Sequence, residues 1–134
     1  MDTAQGEKLP LRTSEQVVLV RQAVRKWAVA AGFSIVDQTK VVTAASELAR
    51  NTVIHAGGGE VLIEQLVNGA RKGIRLTFED KGPGIPDIEL ALKDGYTTGT
   101  GLGLGLSGSK RLMNEFSITS QVGSGTKIVV VKWK

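Results

Sequence analysis

The segment TTGTGLGLGLSGSKRLM, residues 97–113, places five glycines in the ten positions from 99 to 108. Glycine loses more conformational freedom on folding than any other residue. A run this dense therefore indicates either a flexible linker or a backbone that approaches a ligand closely. The segment leads into an amphipathic stretch, and unpaired N–H groups at a helix N-terminus form an anion site. Lys110 and Arg111 add positive charge beside it.

The glycine run matches neither of two common phosphate-binding motifs. Gly103 to Gly108 has the letters of G-x-G-x-x-G, but it follows a predicted loop instead of a strand, which argues against a dinucleotide fold. A Walker A loop needs lysine directly after its last glycine, and Ser109 stands between Gly108 and Lys110. Only the anion site itself remains from this comparison.

Length and composition narrow the class of protein. A chain of 134 residues is expected to form a single domain, residues 1–134. The absence of cysteine excludes disulfides, thiolate metal sites and a cysteine nucleophile. No apolar run is long enough to span a bilayer, and the N-terminus lacks a signal-peptide pattern. We therefore expect a cytoplasmic protein without a membrane partner.

The formal net charge of +4 would suit a nucleic-acid binder or a protein that takes a polyanionic small ligand. The basic residues are spread along the chain, however, and aromatic residues for base stacking make up only 4% of it. This distribution does not favour nucleic-acid binding.

The spacing of apolar residues predicts two long helices in the first half of the chain. Thr13 and Gln16 fit a capping box before a helix that ends near Gly32. A second helix is expected from near Asp37 to about Ala56, where three glycines end it.

Strands are expected in pairs. Pro10 makes KLPLRT an edge strand, because proline cannot donate to a central ladder. Short helices are predicted over IELALKDG and over residues 105–116. The predicted fold class is α/β, a two-layer α+β sandwich with a mixed, mostly antiparallel sheet and helices on one face. Two hairpins are predicted, EVLIEQLV with GIRLTFED and FSITSQ with TKIVVVKWK.

Three polar residues of the second helix share one face. Glu47, Asn51 and His55 are spaced by four, and their face borders the apolar stripe of the helix. Glu47 and Asn51 form either a solvated helix flank or part of a site at the rim of the core. His55, near a helix end, is interpreted as a cap or a packing residue.

Asp80 points to the apolar side of its predicted strand, since period two groups it with Ile74, Leu76 and Phe78. An unpaired buried carboxylate costs several kcal/mol or shifts its pKa. Asp80 must therefore find donors, either from the following turn or from a ligand. An aspartate that only caps the turn KGPGIP is the alternative.

Four short motifs, taken together and in order, resemble the GHKL or Bergerat ATPase superfamily. ELARN at 47–51, DKGPGIP at 80–86, GLGLGL at 101–106 and GSGT at 123–126 are similar to its N box, G1 box, G2 box and closing threonine. From about residue 13 to the end, the chain also resembles the RsbT-type serine/threonine switch kinases of the stressosome and the related anti-sigma-factor kinases.

The resemblance implies ATP and Mg²⁺ as cofactors and gives each motif a role. Asn51 would hold Mg²⁺ and Glu47 would polarise the attacking hydroxyl as the catalytic residue. Asp80 would accept from the adenine amino group, and Thr126 would assist through water. Gly82 and Gly84 would let the backbone approach the base. The glycine-rich segment would form a short lid over the triphosphate, with these nucleotide-binding residues: Thr98, Gly99, Gly101, Leu102, Gly103, Leu104 and Gly105.

The function implied is an ATP- and Mg²⁺-dependent kinase that phosphorylates serine or threonine on a STAS-type antagonist or scaffold. It would then switch partners to a downstream phosphatase or other effector in stress signalling. The alternative is an anti-sigma factor that sequesters a sigma factor under nucleotide control. Glu47 favours the kinase, because a pure binding module does not need it. A sensor histidine kinase is disfavoured, since His55 lies inside the N-box helix.

Overall fold

The protein is described by a computed structural model that covers residues 2–85, 88, 92 and 106–134, with side chains from residue 5 onward. Three helices and five strands are present in this part of the chain. Among these residues, no helix has both the length and the apolar composition needed to cross a membrane. In chain order the elements are β1 (Asp2–Leu11), α1 (Ser14–Ala30), α2 (Ile35–Ala56), β2 (Gly59–Asn68), β3 (Arg71–Asp80), α3 (Leu106–Leu112), β4 (Glu115–Gln121) and β5 (Gly125–Trp133).

Local capping signals set the ends of the two long helices. The predicted capping box of α1 is confirmed: the Thr13 side chain accepts from the Gln16 N–H, and the Gln16 side chain accepts in return from the Thr13 N–H. The second helix begins two residues before the predicted Asp37, because Ser34 caps it by accepting from the Asp37 N–H at 3.1 Å. Gly57 ends α2 in the left-handed conformation, at φ 77°.

The strands form one sheet in the order β1-β2-β3-β5-β4, and all four pairings are antiparallel. β1 lies at an edge and contains Pro10, as predicted. Both predicted hairpins are confirmed, and the first turns through only Gly69 and Ala70. The order places β5 between β3 and β4, so Asp80 at the end of β3 pairs with Thr126 near the start of β5.

One apolar core joins the helices to one face of the sheet. Alternate residues of β3 and β5 point into it, among them Leu76, Phe78 and Val130. They meet the apolar stripes of α1 and α2, which include Val20 and Leu48. Since buried residues of four strands, β1, β2, β3 and β5, belong to the same cluster as those of α1 and α2, the helices cover one face of the sheet, and the two-layer sandwich predicted from the sequence is confirmed.

One predicted helix was too long. Helicity over residues 105–116 was expected, but α3 ends at Leu112 and Phe116 belongs to β4. Phe116 pairs with Val130 of β5, so sheet pairing prevails over the helical spacing. Of the predicted helix IELALKDG only Ile88 and Leu92 are among the described residues, and the Leu92 N–H donates to the Ile88 carbonyl at 3.0 Å.

Two glycines of the β4–β5 hairpin provide a matched test of how closely β5 approaches β3. A Cβ on Gly125 would overlap the Asp80 carbonyl oxygen and lie 2.8 Å from the Lys81 Cα, whereas a Cβ on Gly123 meets nothing within 4 Å. Both have positive φ. We expect Gly123→Ala to cost about 1–2 kcal/mol of unfolding free energy and Gly125→Ala at least about 3 kcal/mol. Equal losses in urea denaturation would contradict this close contact.

Candidate functional site

A cleft opens between α2, the loop after β3, α3 and β5. Its empty volume is about 490 Å³, open solvent included. Mostly apolar walls with a few polar groups are typical of small-molecule sites. Its polar lining residues are Asn51, Thr52, His55, Asp80 and Thr126, and its remaining walls are formed by Leu48, Ala56, Pro83, Gly84, Ile85, Leu106 and Ile128.

Asp80 lies in this cleft and is held by main-chain donors. The Gly82 N–H donates to Asp80 Oδ1 at 2.9 Å, and the Thr126 N–H donates to the same oxygen at 3.3 Å. Both donors use Oδ1, which leaves Oδ2 as an acceptor for a further donor. The two readings of Asp80 are therefore compatible: it caps the following turn and still presents one carboxylate oxygen to the cleft.

A row of polar side chains continues from Asp80 across two more strands. Thr126 of β5 lies opposite Asp80, and Ser120 of β4 lies opposite Thr126. The hydroxyl oxygens of Ser120 and Thr126 are 2.8 Å apart, within hydrogen-bond distance. Ser120 Oγ also accepts from the Ile85 N–H at 2.8 Å. The row thus fastens the loop after β3 to the β4–β5 hairpin.

Gly82 and Gly84 allow this loop to pack tightly at both ends. A Cβ on Gly82 would lie 2.8 Å from the backbone of Ala56, at the end of α2. A Cβ on Gly84 would lie 2.8 Å from the carbonyl carbon of Gln121. Close approach of the backbone was predicted for these glycines, and the described contacts are with the protein itself. An approach to a base remains a prediction.

Asn51 and Glu47 lie one turn apart on α2, so they share one side of the helix. Asn51 lines the cleft. The Glu47 side chain is 38% exposed and forms a 3.6 Å ion pair with Arg50. The described residues hold no cluster of three or more histidines or carboxylates that would bind a bare cation. The amide oxygen of Asn51 instead suits Mg²⁺ that keeps water and phosphate oxygens as its other ligands.

The structure brings together four of the predicted site residues. Asn51, Asp80, Gly84 and Thr126 line the cleft. Glu47 and Gly82 neighbour these residues without being part of the lining. The predicted lid residues Thr98, Gly99, Gly101, Leu102, Gly103, Leu104 and Gly105 lie outside the described residues.

Sequence reasoning missed three polar residues of the site, since Thr52 also lines the cleft and was not among the predicted site residues. His55 was interpreted as a cap or a packing residue, yet it is part of the cleft wall. Ser120 was not singled out, although it bonds both the loop and Thr126. The signal used for Asp80 would have found it, because period two places Ser120 on the same side of β4 as Phe116 and Ile118.

Burial raises the pKa of the Asp80 carboxyl above its ordinary value. The N–H groups of Gly82 and Thr126 act in the opposite direction, because they stabilise the carboxylate. The nearby charge of Glu79 raises the pKa further. The site therefore contains a partly desolvated carboxylate whose negative charge is not fully compensated by its two donors.

Comparison with known proteins assigns this arrangement to a family. The sequence model described as histidine kinase-, DNA gyrase B- and HSP90-like ATPase matches residues 36–134, a range that includes every described wall of the cleft. The chain belongs to this ATPase family. The resemblance drawn from the four sequence motifs is thereby confirmed.

Individual members of the ATPase family match most of the chain. The serine/threonine-protein kinase RsbT of Bacillus subtilis strain 168 is 48% identical over 123 residues, which cover 92% of each chain. An anti-sigma F factor of Clostridium beijerinckii is 32% identical over 126 residues, covering 89% of this chain and 87% of the relative. The crystal structure of the RsbU and RsbW domains of a Mycobacterium tuberculosis protein has a TM-score of 0.65 at 21% identity, over 96% of this chain and 32% of that chain. This last likeness shows the fold alone.

The raised pKa of Asp80 predicts a stability cost at neutral pH in the nucleotide-free protein. The folded state binds the proton more tightly than the unfolded state, so this contribution to stability is present below the ordinary Asp pKa of about 3.9 and is lost as pH rises through the folded-state pKa. Asp80→Asn retains an acceptor for both N–H groups and removes the charge. We therefore expect it to be more stable than wild type at pH 7, by a margin that narrows toward acid pH.

Urea denaturation of the free protein at several pH values measures this difference. Glu79→Gln is the comparison variant, because it removes one negative charge from an exposed neighbouring position. Since the Glu79 charge itself raises the Asp80 pKa, this change should also raise the stability at pH 7, but by less than Asp80→Asn does. A lower stability of Asp80→Asn at pH 7 would mean that the charged carboxylate stabilises the free fold.

Proposed function

We propose that this chain is an ATP- and Mg²⁺-dependent serine/threonine protein kinase. The observation that carries the proposal is the position of Glu47, one turn from the cleft residue Asn51 on the same side of α2. A carboxylate beside the phosphate end of a nucleotide site can accept a proton during phosphoryl transfer. The 48% identity to a serine/threonine-protein kinase supports the same reading.

Adenine fits the chemistry of the cleft around Asp80. Its amino group donates to the carboxylate oxygen that the main chain leaves available, and its ring packs against apolar walls such as Ile85 and Ile128. Thr126 assists through water. Guanine has a carbonyl oxygen in place of this amino group. That oxygen and the Asp80 carboxylate are both acceptors, so they cannot form a hydrogen bond with each other. The site is therefore expected to select adenine nucleotides.

Phosphate binding involves α2 and the glycine run. Asn51 would hold Mg²⁺ through its amide oxygen, and the cation would offset negative charge on the phosphates. In this proposal the backbone amides of Gly101, Gly103 and Gly105 bind the phosphate oxygens and, with residues 96–100, form a short lid. These glycines precede α3 in the sequence, and their N–H groups would provide the donors that such a lid needs.

The transfer step uses Glu47 as a general base. A serine or threonine hydroxyl oxygen of the partner bonds to the γ-phosphorus, and the bond from this phosphorus to the bridging oxygen of ADP breaks. The hydroxyl proton passes to the Glu47 carboxylate, and ADP leaves with the electron pair of the broken bond. Catalysis in this class depends mainly on positioning and charge stabilisation, so Glu47 contributes only part of the rate.

The proposed partners are STAS-domain antagonist or scaffold proteins, with a downstream phosphatase or other effector taking their place after phosphorylation. The setting is stress signalling in the cytoplasm, without nucleic acid.

The second candidate is a nucleotide-controlled anti-sigma factor, which the 32% identity to an anti-sigma F factor favours. A pull-down with and without ATP, followed by phosphosite mapping, separates the two. A sigma factor retained without any phosphorylated partner would support the second candidate.

ATP with Mg²⁺ should raise the melting temperature. A ligand at a hundredfold excess over its Kd stabilises the native state by about 2.7 kcal/mol, which for a domain of this size is on the order of 10 °C. GTP and NAD should give much smaller shifts. An unchanged melting temperature at millimolar ATP would exclude the nucleotide site.

Asp80→Asn should weaken ATP binding roughly five- to 150-fold, because the amide presents a mismatched group to the adenine amino group.

Glu47→Ala should separate nucleotide binding from chemistry. We expect ATP affinity to stay within a few fold while the rate of phosphoryl transfer falls by about 10²–10⁴. Single-turnover transfer from radiolabelled ATP to the partner at saturating ATP measures this rate. The matched control is Glu60→Ala, which removes an exposed carboxylate of β2 that pairs with Lys8. This variant should behave as wild type. Transfer at the wild-type rate by Glu47→Ala would favour the anti-sigma candidate.

A further inference from the structure

Helix α2 has a third face, next to the cleft and turned away from the core. Glu47, Arg50 and Ile54 follow one another at spacings of three and four, so they form one stripe along the helix. Ile54 returns to the side of Glu47 after two turns, about 10 Å further along the axis. Neither Arg50 nor Ile54 lines the nucleotide cleft. Glu47 therefore belongs to this outer stripe and also lies on the same side of the helix as the cleft residue Asn51.

The outer stripe borders a groove between the two long helices. Ser14 and Val17 of α1 line one side of it, and Arg50, Val53 and Ile54 of α2 line the other. Its empty volume is about 390 Å³. Ile54 is 60% exposed, and Val53 packs against the core beneath the groove. The groove thus has an apolar floor and wall beside Glu47.

Arg50 gives this groove a positive charge that is linked to Glu47. The Arg50 Nη1 and the Glu47 Oε1 are 3.6 Å apart, and the two side chains are 58% and 38% exposed. An exposed ion pair of this length is weak and is easily exchanged for another partner. A guanidinium binds carboxylates through two parallel donors, so a carboxylate from another molecule can take Arg50 and release Glu47.

We infer that the groove formed by Ser14, Val17, Arg50, Val53 and Ile54 is the docking surface for the protein that is phosphorylated. This inference rests on the proposed kinase function. The acceptor hydroxyl has to come within hydrogen-bond reach of Glu47, so the protein that carries it must cover the helix surface beside Glu47. In the part of the chain that the structure describes, the surface next to Glu47 outside the cleft is this groove, which is lined by three apolar residues, one serine and one arginine.

The occupant is therefore a folded protein surface of defined chemistry. It presents an apolar side chain to Ile54 and Val53, a carboxylate to Arg50 and a serine or threonine between them and the nucleotide. Docking takes Arg50 from Glu47 as the hydroxyl arrives, which leaves the Glu47 carboxylate available to accept the proton. Substrate recognition and activation of the base then occur in the same step.

Ile54→Ala and Ile35→Ala form a matched pair that tests the surface. Both residues are strongly exposed, at 60% and 72%, and lie on α2 about 28 Å apart along its axis. Each purified STAS-domain protein of the source organism serves as the substrate in turn, with radiolabelled ATP. For the protein that is phosphorylated, Ile54→Ala should raise KM about tenfold, and Ile35→Ala should leave it unchanged. ATP affinity should change less than twofold in both variants.

Arg50 provides a second test with a conservative rescue. Arg50→Gln should raise KM for the protein substrate about tenfold, and Arg50→Lys should recover part of that loss, because it restores the charge without the planar fork. Melting temperatures of the free variants exclude misfolding. An unchanged KM in both Ile54→Ala and Arg50→Gln would overturn the docking surface while the kinase assignment stands. Absence of phosphorylation of every STAS protein by the wild-type chain would overturn both.

Discussion

The two hydrogen bonds that hold Asp80 are the interaction on which the site depends. They join the Gly82 N–H, in the loop after β3, and the Thr126 N–H, on the neighbouring strand β5, to one carboxylate oxygen. Each bond to a charged acceptor contributes about 1.5–3 kcal/mol, and desolvation of the same carboxylate counteracts this gain. The free protein therefore has a shaped loop with an acceptor that is incompletely satisfied. In the proposed function the adenine amino group is the missing donor, so loop geometry and nucleotide affinity would both depend on the Asp80 side chain.

The same geometry explains why the neighbouring residues are small or polar. Ser120 and Thr126 continue the row across β4 and β5, and Ser120 binds the Ile85 N–H at the far end of the loop. Gly125 lets β5 approach Asp80 without a Cβ in between. A single larger side chain at these positions would separate β5 from the loop. The shape of the cleft thus depends more on the close approach of the ends of β3, β4 and β5 than on any single residue of its lining.

Much of this arrangement could be predicted because its signals are local. Thr13 with Gln16 and the glycine that ends α2 gave the helix ends, and the period-two pattern of β3 placed Asp80 on the buried side. The early start of α2 was missed because Ser34 was not recognised as its cap. The extent of α3 was wrong because Phe116 pairs with Val130, a contact that the helical spacing around it does not reveal.

The contacts of Ser120 were not accessible to the same reasoning. Its partners lie 35 residues before it at Ile85 and across the hairpin at Thr126, and they come together only when β5 is inserted between β3 and β4. Strand order of this kind is not contained in any local pattern, since hairpin signals indicate only which consecutive strands pair. The family resemblance provided the predicted site residues in one step, but it did not provide the contacts that hold them.

Helix α2 carries residues of both the cleft and the groove that is proposed as the docking surface. It is 22 residues long, is capped at both ends, and contacts the core through Val41 and Leu48 and through three fully buried alanines, Ala44, Ala45 and Ala49. The alanines allow close packing of the helix, so its position is well fixed. In the proposed mechanism Asn51 and Glu47 lie on one helix, so the distance between the nucleotide and the incoming hydroxyl would be set before either ligand binds. Positioning is the main resource of phosphoryl-transfer enzymes, and here it derives from the packing of a single helix.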